Sequence, residues 1–254
     1  MEQSSLLRAG QAAWRLTLDD LRGRFPGSSG PGGPAPGSPV EGPRPAKVRG
    51  DHDLNPGYGP LPDSKLREAA VLVPLVDRAD GVTLIFTQRT AHLTAHAGQI
   101  SFPGGRMEPF DATLEETALR ETEEEIGLGR DRIEIIGRLD TYVTRTGFRV
   151  TPVVGLVQPP FQLTPDPTEV AEVFEVPLDF ILDPSNPQRH SREFQGAQRH
   201  FYVFPYQQRF IWGATAGMLV NLCDVLRDDT LGEEPPADGV SGALAGDDAV
   251  TGET

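Results

Sequence analysis

The chain has 254 residues, 37% of them apolar, and a formal charge of −14 at pH 7. With an isoelectric point of about 4.7 it lacks the basic surface that general binding to nucleic-acid backbones requires, and no run of about 18 apolar residues is present to span a membrane. A phosphorylated partner therefore needs local cations or a bound metal to reverse the sign of the field where it binds.

Residues 1–25 carry apolar positions at helical spacing (Leu6, Leu7, Trp14, Leu16, Leu18, Leu21) and predict a helical extension. No basic region there leads into an unbroken apolar stretch, so no secretory signal is expected. Residues 26–63 are so rich in Pro, Gly and Ser that they read as a linker. Residues 64–227 hold the content of one folded domain, and the acidic, small-residue segment 228–254 reads as a disordered tail. The lone cysteine, Cys223, cannot form an internal disulfide and lies in the apolar stretch GMLVNLCDVL, where a buried, inert thiol is expected. These features predict a cytoplasmic protein that binds neither nucleic acid nor membrane.

Within the domain, AAVLVPLV (69–76) and VTLIFTQR (82–89) flank the turn signal at 77–81 and predict a strand pair. Further strand signals fall at 132–139, 149–157, 173–178 and 200–206, with helical signals at about 113–126 and 214–226. Strands with two helices spaced among them predict an α/β sandwich with a mixed sheet.

The second half of SFPGGRMEPFDATLEETALRETEEEIG (101–127) concentrates carboxylates on one helix. Asp111 and Thr113 both suit an N-cap, Leu114 to Ile126 contains no Gly or Pro, and Gly127 supplies the stop. At about 100° per residue, Glu121, Glu124 and Glu125 share a face while Glu123 points to nearly the opposite side. Like charges at this spacing repel, so the cluster is either a solvated face offset by Arg120 or a cradle for a hard divalent cation that takes several oxygen ligands. The glycines at 104 and 105 let backbone approach a ligand closely.

In order, Gly105, Asp111, Arg120-Glu121, Glu124-Glu125 and Gly127-Leu128 resemble the Nudix box. Two departures stand out: the first acid is Asp111, one residue further from Arg120 than usual, and Thr122 replaces an aliphatic residue. The preceding segment LIFTQRTAHLTAHAGQISFPGG (84–105) resembles a second signature, that of the coenzyme A pyrophosphatase branch. The resemblance spans about residues 66–227 and implies a Nudix-type α/β/α sandwich. It implies that Glu121, Glu125 and Glu124 bind Mg²⁺ or Mn²⁺, that Glu124 is a further ligand or the base, and that Arg120 orients the glutamates. Gly104 and Gly105 shape the loop beside the metal, and Arg89 lies in the second signature as a candidate phosphate contact; Gln99 and Ser101, alternating with Ile100 and Phe102, project to one face of a strand and are candidate substrate contacts. The implied reaction splits coenzyme A into 4′-phosphopantetheine and adenosine 3′,5′-bisphosphate. Hydrolysis of ADP-ribose or of nucleoside triphosphates, and nucleotide sensing without catalysis, are the alternatives.

Other residues have assignments that stay open. Arg106, Arg145 and Arg149 are either phosphate contacts or surface charges, and His92 and His96 lie in a polar stretch near the second signature. TYVTRTGFR (141–149) predicts a hairpin or loop beside the site, whereas Phe201, Tyr202 and Trp212 are expected in the core.

Overall fold

Apolar runs that lack the alternation of a half-exposed strand indicate a sheet covered on both faces. In the computed structural model, which describes residues 16–25, 47–56, 62–92, 97–194 and 196–227, the run at 69–76 lies inside such a sheet. The elements in chain order are α1 (Leu18–Arg24), β1 (Val48–Gly50), β2 (Arg67–Arg78), β3 (Gly81–Arg89), β4 (Ile100–Ser101), β5 (Gly104–Arg106), α2 (Leu114–Ile126), β6 (Ile133–Arg138), β7 (Thr141–Val143), β8 (Phe148–Val157), β9 (Val170–Pro177), α3 (Leu178–Leu182), β10 (Gln188–Phe194), β11 (Ala197–Tyr206), β12 (Arg209–Trp212) and α4 (Gly213–Leu226).

The main sheet has nine strands. β2 is its axis: it pairs in parallel with β8 along 67–76, antiparallel with β5 at 69–71 and antiparallel with β3 at 75–78. β9 pairs with β3, β6 and β7 with β8, and β1 adds to β7 in parallel. Successive side chains of β2 point to opposite faces. Ala70 and Leu72 pack with Ala118 of α2 and Val153 of β8. Ala69, Val73 and Leu75 join a larger core containing Leu219, Leu222 and Leu226 of α4 together with Ile181 of α3 and Leu21 of α1. The result is the expected α/β/α sandwich with a mixed sheet. Cys223 is buried within it, donates to the Ile181 carbonyl at 3.2 Å, and has its thiol pushed up to about 12 by burial.

A second, three-stranded sheet, β10-β11-β12, runs directly into α4. Of its strands, only β11 carries a sequence signal strong enough to read in advance, because QRHSREF of β10 is too polar to look like a strand.

The stretch read as a linker is described in part. Residues 47–56 are built into the domain by β1 and the turns after it. Asn55, 9% exposed, replaces a missing strand partner for His200: its Oδ1 accepts from the His200 N–H at 2.9 Å and its Nδ2 donates to the His200 carbonyl at 2.9 Å and to the Asp51 carbonyl at 2.7 Å. Asp51 accepts from the Tyr142 hydroxyl at 2.8 Å and from the Arg145 N–H at 3.1 Å. This strap therefore joins the end of the main sheet to the small one. Of the N-terminal extension, α1 packs Leu21 and Phe25 into the core; residues 1–15, 26–46, 57–61 and 228–254 lie outside the described residues.

Removing the Asn55 amide leaves both backbone groups of His200 without that partner. Asn55→Ala is expected to lower the unfolding free energy by about 1–3 kcal/mol, seen as a lower urea midpoint with an unchanged slope.

Candidate functional site

The helix that carries the carboxylates is fixed at both ends by its own sequence. Thr113 is its N-cap, with Oγ1 accepting from the Glu116 N–H at 3.1 Å, and Gly127 closes it in the left-handed conformation at φ 67°. Asp111, the other N-cap candidate, does something different. Its carboxylate accepts from the Glu108 N–H at 2.9 Å and the Thr117 hydroxyl at 3.0 Å, and takes Arg120 in a two-pronged pairing with Nε and Nη2 both at 2.9 Å.

Arg120 is the hub of this end of the molecule. Besides Asp111, its Nη1 donates to Glu121 at 2.7 Å and Glu124 at 2.9 Å, and its Nη2 to the Arg106 carbonyl at 3.1 Å, so every nitrogen of the fork is engaged. Its side chain is 12% exposed. The pairing with Asp111, then with Glu121, holds the guanidinium charged. It lowers the Asp111 carboxyl to about 2.

The three glutamates expected to share a face separate by depth. Glu121 and Glu125 turn inward, while Glu124 is 60% exposed; Glu123, on the far side, pairs with Arg130 at 3.0 Å. The Glu121 carboxylate packs directly on the Gly104-Gly105 stretch of β5, where a Cβ at Gly105 would lie 2.5 Å from its Oε2. Glu125, 5% exposed, accepts from the Gly104 N–H at 3.2 Å and faces Arg89 at 3.6 Å. Burial pushes its carboxyl up to about 8, against the pull of Gly104 and Arg89 and with the help of Glu121 and Glu169. Burial also raises Glu121, opposed by Arg120.

Glu169 was not singled out in the sequence. It lies just before β9, and its carboxylate stands 3.8 Å from Arg89 Nη2. Its polar surroundings, TPDPTEV, give no spacing cue. Only the fold brings it beside Glu125.

A cavity of about 400 Å³ opens beside this cluster, and Arg89, Gln99, Ser101 and Gly104 are among its lining residues. Gly105, next to it in β5, stands at the Glu121 carboxylate instead. The hairpin at 141–149 borders the cavity through the turn between β7 and β8 and through Phe148. Phe201 and Trp212, expected in the core, instead stand in the cavity wall with ring centroids 5.5 Å apart and edge to face. The reason is that β11 and β12 form a separate sheet whose inner side faces the cavity. Arg149 is occupied elsewhere, by Glu68 at 2.8 Å and Asp63 at 2.7 Å. His92 is exposed, and His96 lies outside the described residues.

Among the described residues, no three acidic, imidazole or thiol side chains stand gathered as a ready cage for a metal ion. The arginine fork explains the spacing, since Arg120 Nη1 already bridges Glu121 and Glu124. The donor set still fits a hard divalent cation. Two sheltered carboxylates and one exposed carboxylate offer only oxygen, the two sheltered ones, Glu121 and Glu125, lie against the Gly104-Gly105 stretch of β5, and burial pushes the Glu125 carboxyl up.

Residues 66–208 match the NUDIX domain family model. The chain is similar to a protein named an uncharacterized Nudix hydrolase, NudL, from Photorhabdus laumondii, 41% identical over 156 residues that cover 61% of this chain and 83% of the relative. It is similar also to the protein of the same name from Pectobacterium atrosepticum, 41% identical over 170 residues covering 66% of this chain and 86% of the relative. Among solved structures it is similar to a C. elegans Ap4A hydrolase, with TM-score 0.39, 20% identity and coverage of 44% of this chain and 80% of that one.

The lowered carboxyl of Asp111 has a consequence for stability. A carboxyl that moves from its ordinary 3.8 to about 2 in the folded protein contributes above the unfolded value and loses that contribution as the pH falls through the folded one; the shift amounts to about 2 kcal/mol. Asp111→Asn is expected to cost about that much at pH 7 and much less near pH 2, measured as urea unfolding at both pH values.

Proposed function

The chain belongs to the Nudix hydrolase family, and from that premise we propose that it hydrolyses, with the help of a divalent metal, the diphosphate of coenzyme A or of an acyl thioester of it. The products are 4′-phosphopantetheine and adenosine 3′,5′-bisphosphate. The observation that supports this reading is the placement of the segment 84–105: the stretch that resembles the coenzyme A signature supplies Arg89, Gln99, Ser101 and Gly104 to a cavity bordering the carboxylate helix.

In this reading Glu121 and Glu125 hold Mg²⁺ or Mn²⁺, and Glu124 is a further ligand or the base that takes the proton of the attacking water. When bound, the ion neutralises diphosphate oxygens and lowers the pKa of water. The protein's own contribution is position. Arg120 spaces Glu121 from Glu124 and is itself held by Asp111, so the cluster does not collapse or splay under its own repulsion. Arg89, between Glu125 and Glu169, is placed to meet a phosphate oxygen beside the carboxylates. The absence of a Cβ at Gly104 and Gly105 lets β5 close on β2 and lets the Glu121 carboxylate rest against it, beside the place this reading gives the diphosphate. Water adds across the phosphorus–oxygen–phosphorus bridge, its oxygen to one phosphorus and a proton to the departing phosphate. Phe148, Phe201 and Trp212 supply flat apolar walls for the nucleoside.

Incubation of the full chain with coenzyme A and Mg²⁺ or Mn²⁺ is expected to release adenosine 3′,5′-bisphosphate, and release is expected to stop with a chelator and return when the ion is restored. No release alongside turnover of ADP-ribose would reject coenzyme A as substrate. Glu125→Gln is expected to reduce turnover by more than about a hundredfold while the thermal unfolding transition persists; unchanged turnover would remove Glu125 from the metal site.

A further inference from the structure

The cavity beside the carboxylates has a sign opposite to that of the molecule. Its described lining carries Arg89, Arg145, Arg192 and Arg199 against one carboxylate, Asp51, in a chain of net charge −14. Arg89 is committed to Glu125 and Glu169 at the diphosphate end. The other three come from different elements, the turn between β7 and β8 and the paired strands β10 and β11.

Arg192 and Arg199 stand directly opposite each other across that strand pair, an arrangement of like charges that costs stability. Both guanidinium groups lie over the ring of Phe194, at 3.9 Å for Arg199 and 5.9 Å for Arg192, which offsets part of the repulsion and brings the two charges to the same ring. The strap at 47–56 then fixes both arms. Asp51 accepts the Arg145 N–H, and Asn55 holds both backbone groups of His200, the residue after Arg199. This strap lies outside the matched residues 66–208.

We propose that Arg145, Arg192 and Arg199 form a receiving site for a phosphate monoester on the nucleoside half of the substrate, set apart from the diphosphate. The inference deepens the coenzyme A reading and rests on it for the identity of that monoester, the 3′-phosphate. Several arginine forks suit a group that carries up to two charges and three acceptor oxygens better than they suit a single carboxylate. The aromatic walls formed by Phe201 and Trp212 adjoin the same sheet, so base and phosphate are received together. Asp51 and Asn55 act as positioning residues.

The test compares binding of adenosine 3′,5′-bisphosphate and adenosine 5′-monophosphate to the full chain by calorimetry without metal, so no turnover is needed. The parent is expected to bind the bisphosphate about tenfold or more tightly than the monophosphate, and Arg192→Gln with Arg199→Gln, its circular dichroism matching the parent, to bind the two within about twofold of each other. Arg145→Gln, in a turn outside the strand pairing, is expected to lose part of the preference, and it decides the matter should the double variant fail to fold. Equal binding by the parent, or a preference undiminished in the variants that fold, overturns the site. Hydrolysis of coenzyme A and 3′-dephospho-coenzyme A is expected to show the same ratio through KM. Should neither be hydrolysed while another nucleoside diphosphate is, the coenzyme A reading falls, and the calorimetric ratio still decides the phosphate site.

Discussion

Carboxylates crowded onto one turn of helix stay together only if something positive stands among them, and in this fold that something is Arg120. Its fork is shared among Asp111, Glu121, Glu124 and the Arg106 carbonyl, which converts a mutually repelling row into a network with defined spacing. The geometry also separates roles by depth. Glu124 keeps its contact with solvent, while Glu125 is withdrawn so far that burial raises its carboxyl to about 8. A divalent ion entering this cluster would have to share the oxygens of Glu121 and Glu124 with Arg120, while its charge would relieve the unfavourable burial of Glu125.

The sheet makes that cluster possible by having two covered faces. β2 sends alternate side chains to α2 and to α4, so the carboxylate helix rests on one side and the bulk of the core on the other. β5, short as it is, pairs Gly104 and Gly105 with β2 and thus ties them to the same frame that carries α2. The distance between β5 and Glu121 is therefore set by sheet pairing rather than by a free loop. The small sheet builds the opposite wall of the cavity, where the arginines and aromatic rings lie.

Much of this was legible in the residues alone. α2 declared itself through Thr113, Gly127 and the absence of helix breakers, and β2 and β3 through β-branched runs on either side of a turn. The side chains brought together by long-range pairing were not legible. Asp111 sits at a spacing that disguises its grip on Arg120, and Glu169 reaches Arg89 only because β9 pairs with β3. Phe201 and Trp212 illustrate a different limit, since apolar periodicity reads the same for a core and for the lining of a cavity. The strap was hidden by its neighbours: the Pro and Gly around VRGDHDLN mask a three-residue strand whose partner, β7, lies some ninety residues away.

That strap changes where the functional unit begins. The family match starts at residue 66, yet Asp51 and Asn55 reach the cavity from before it and hold β11 to the end of the main sheet. The wall of the cavity beside the carboxylates thus draws on residues before the matched stretch as well as within it. Divergence before residue 66 could retune what the pocket accepts while the carboxylate helix stays as it is.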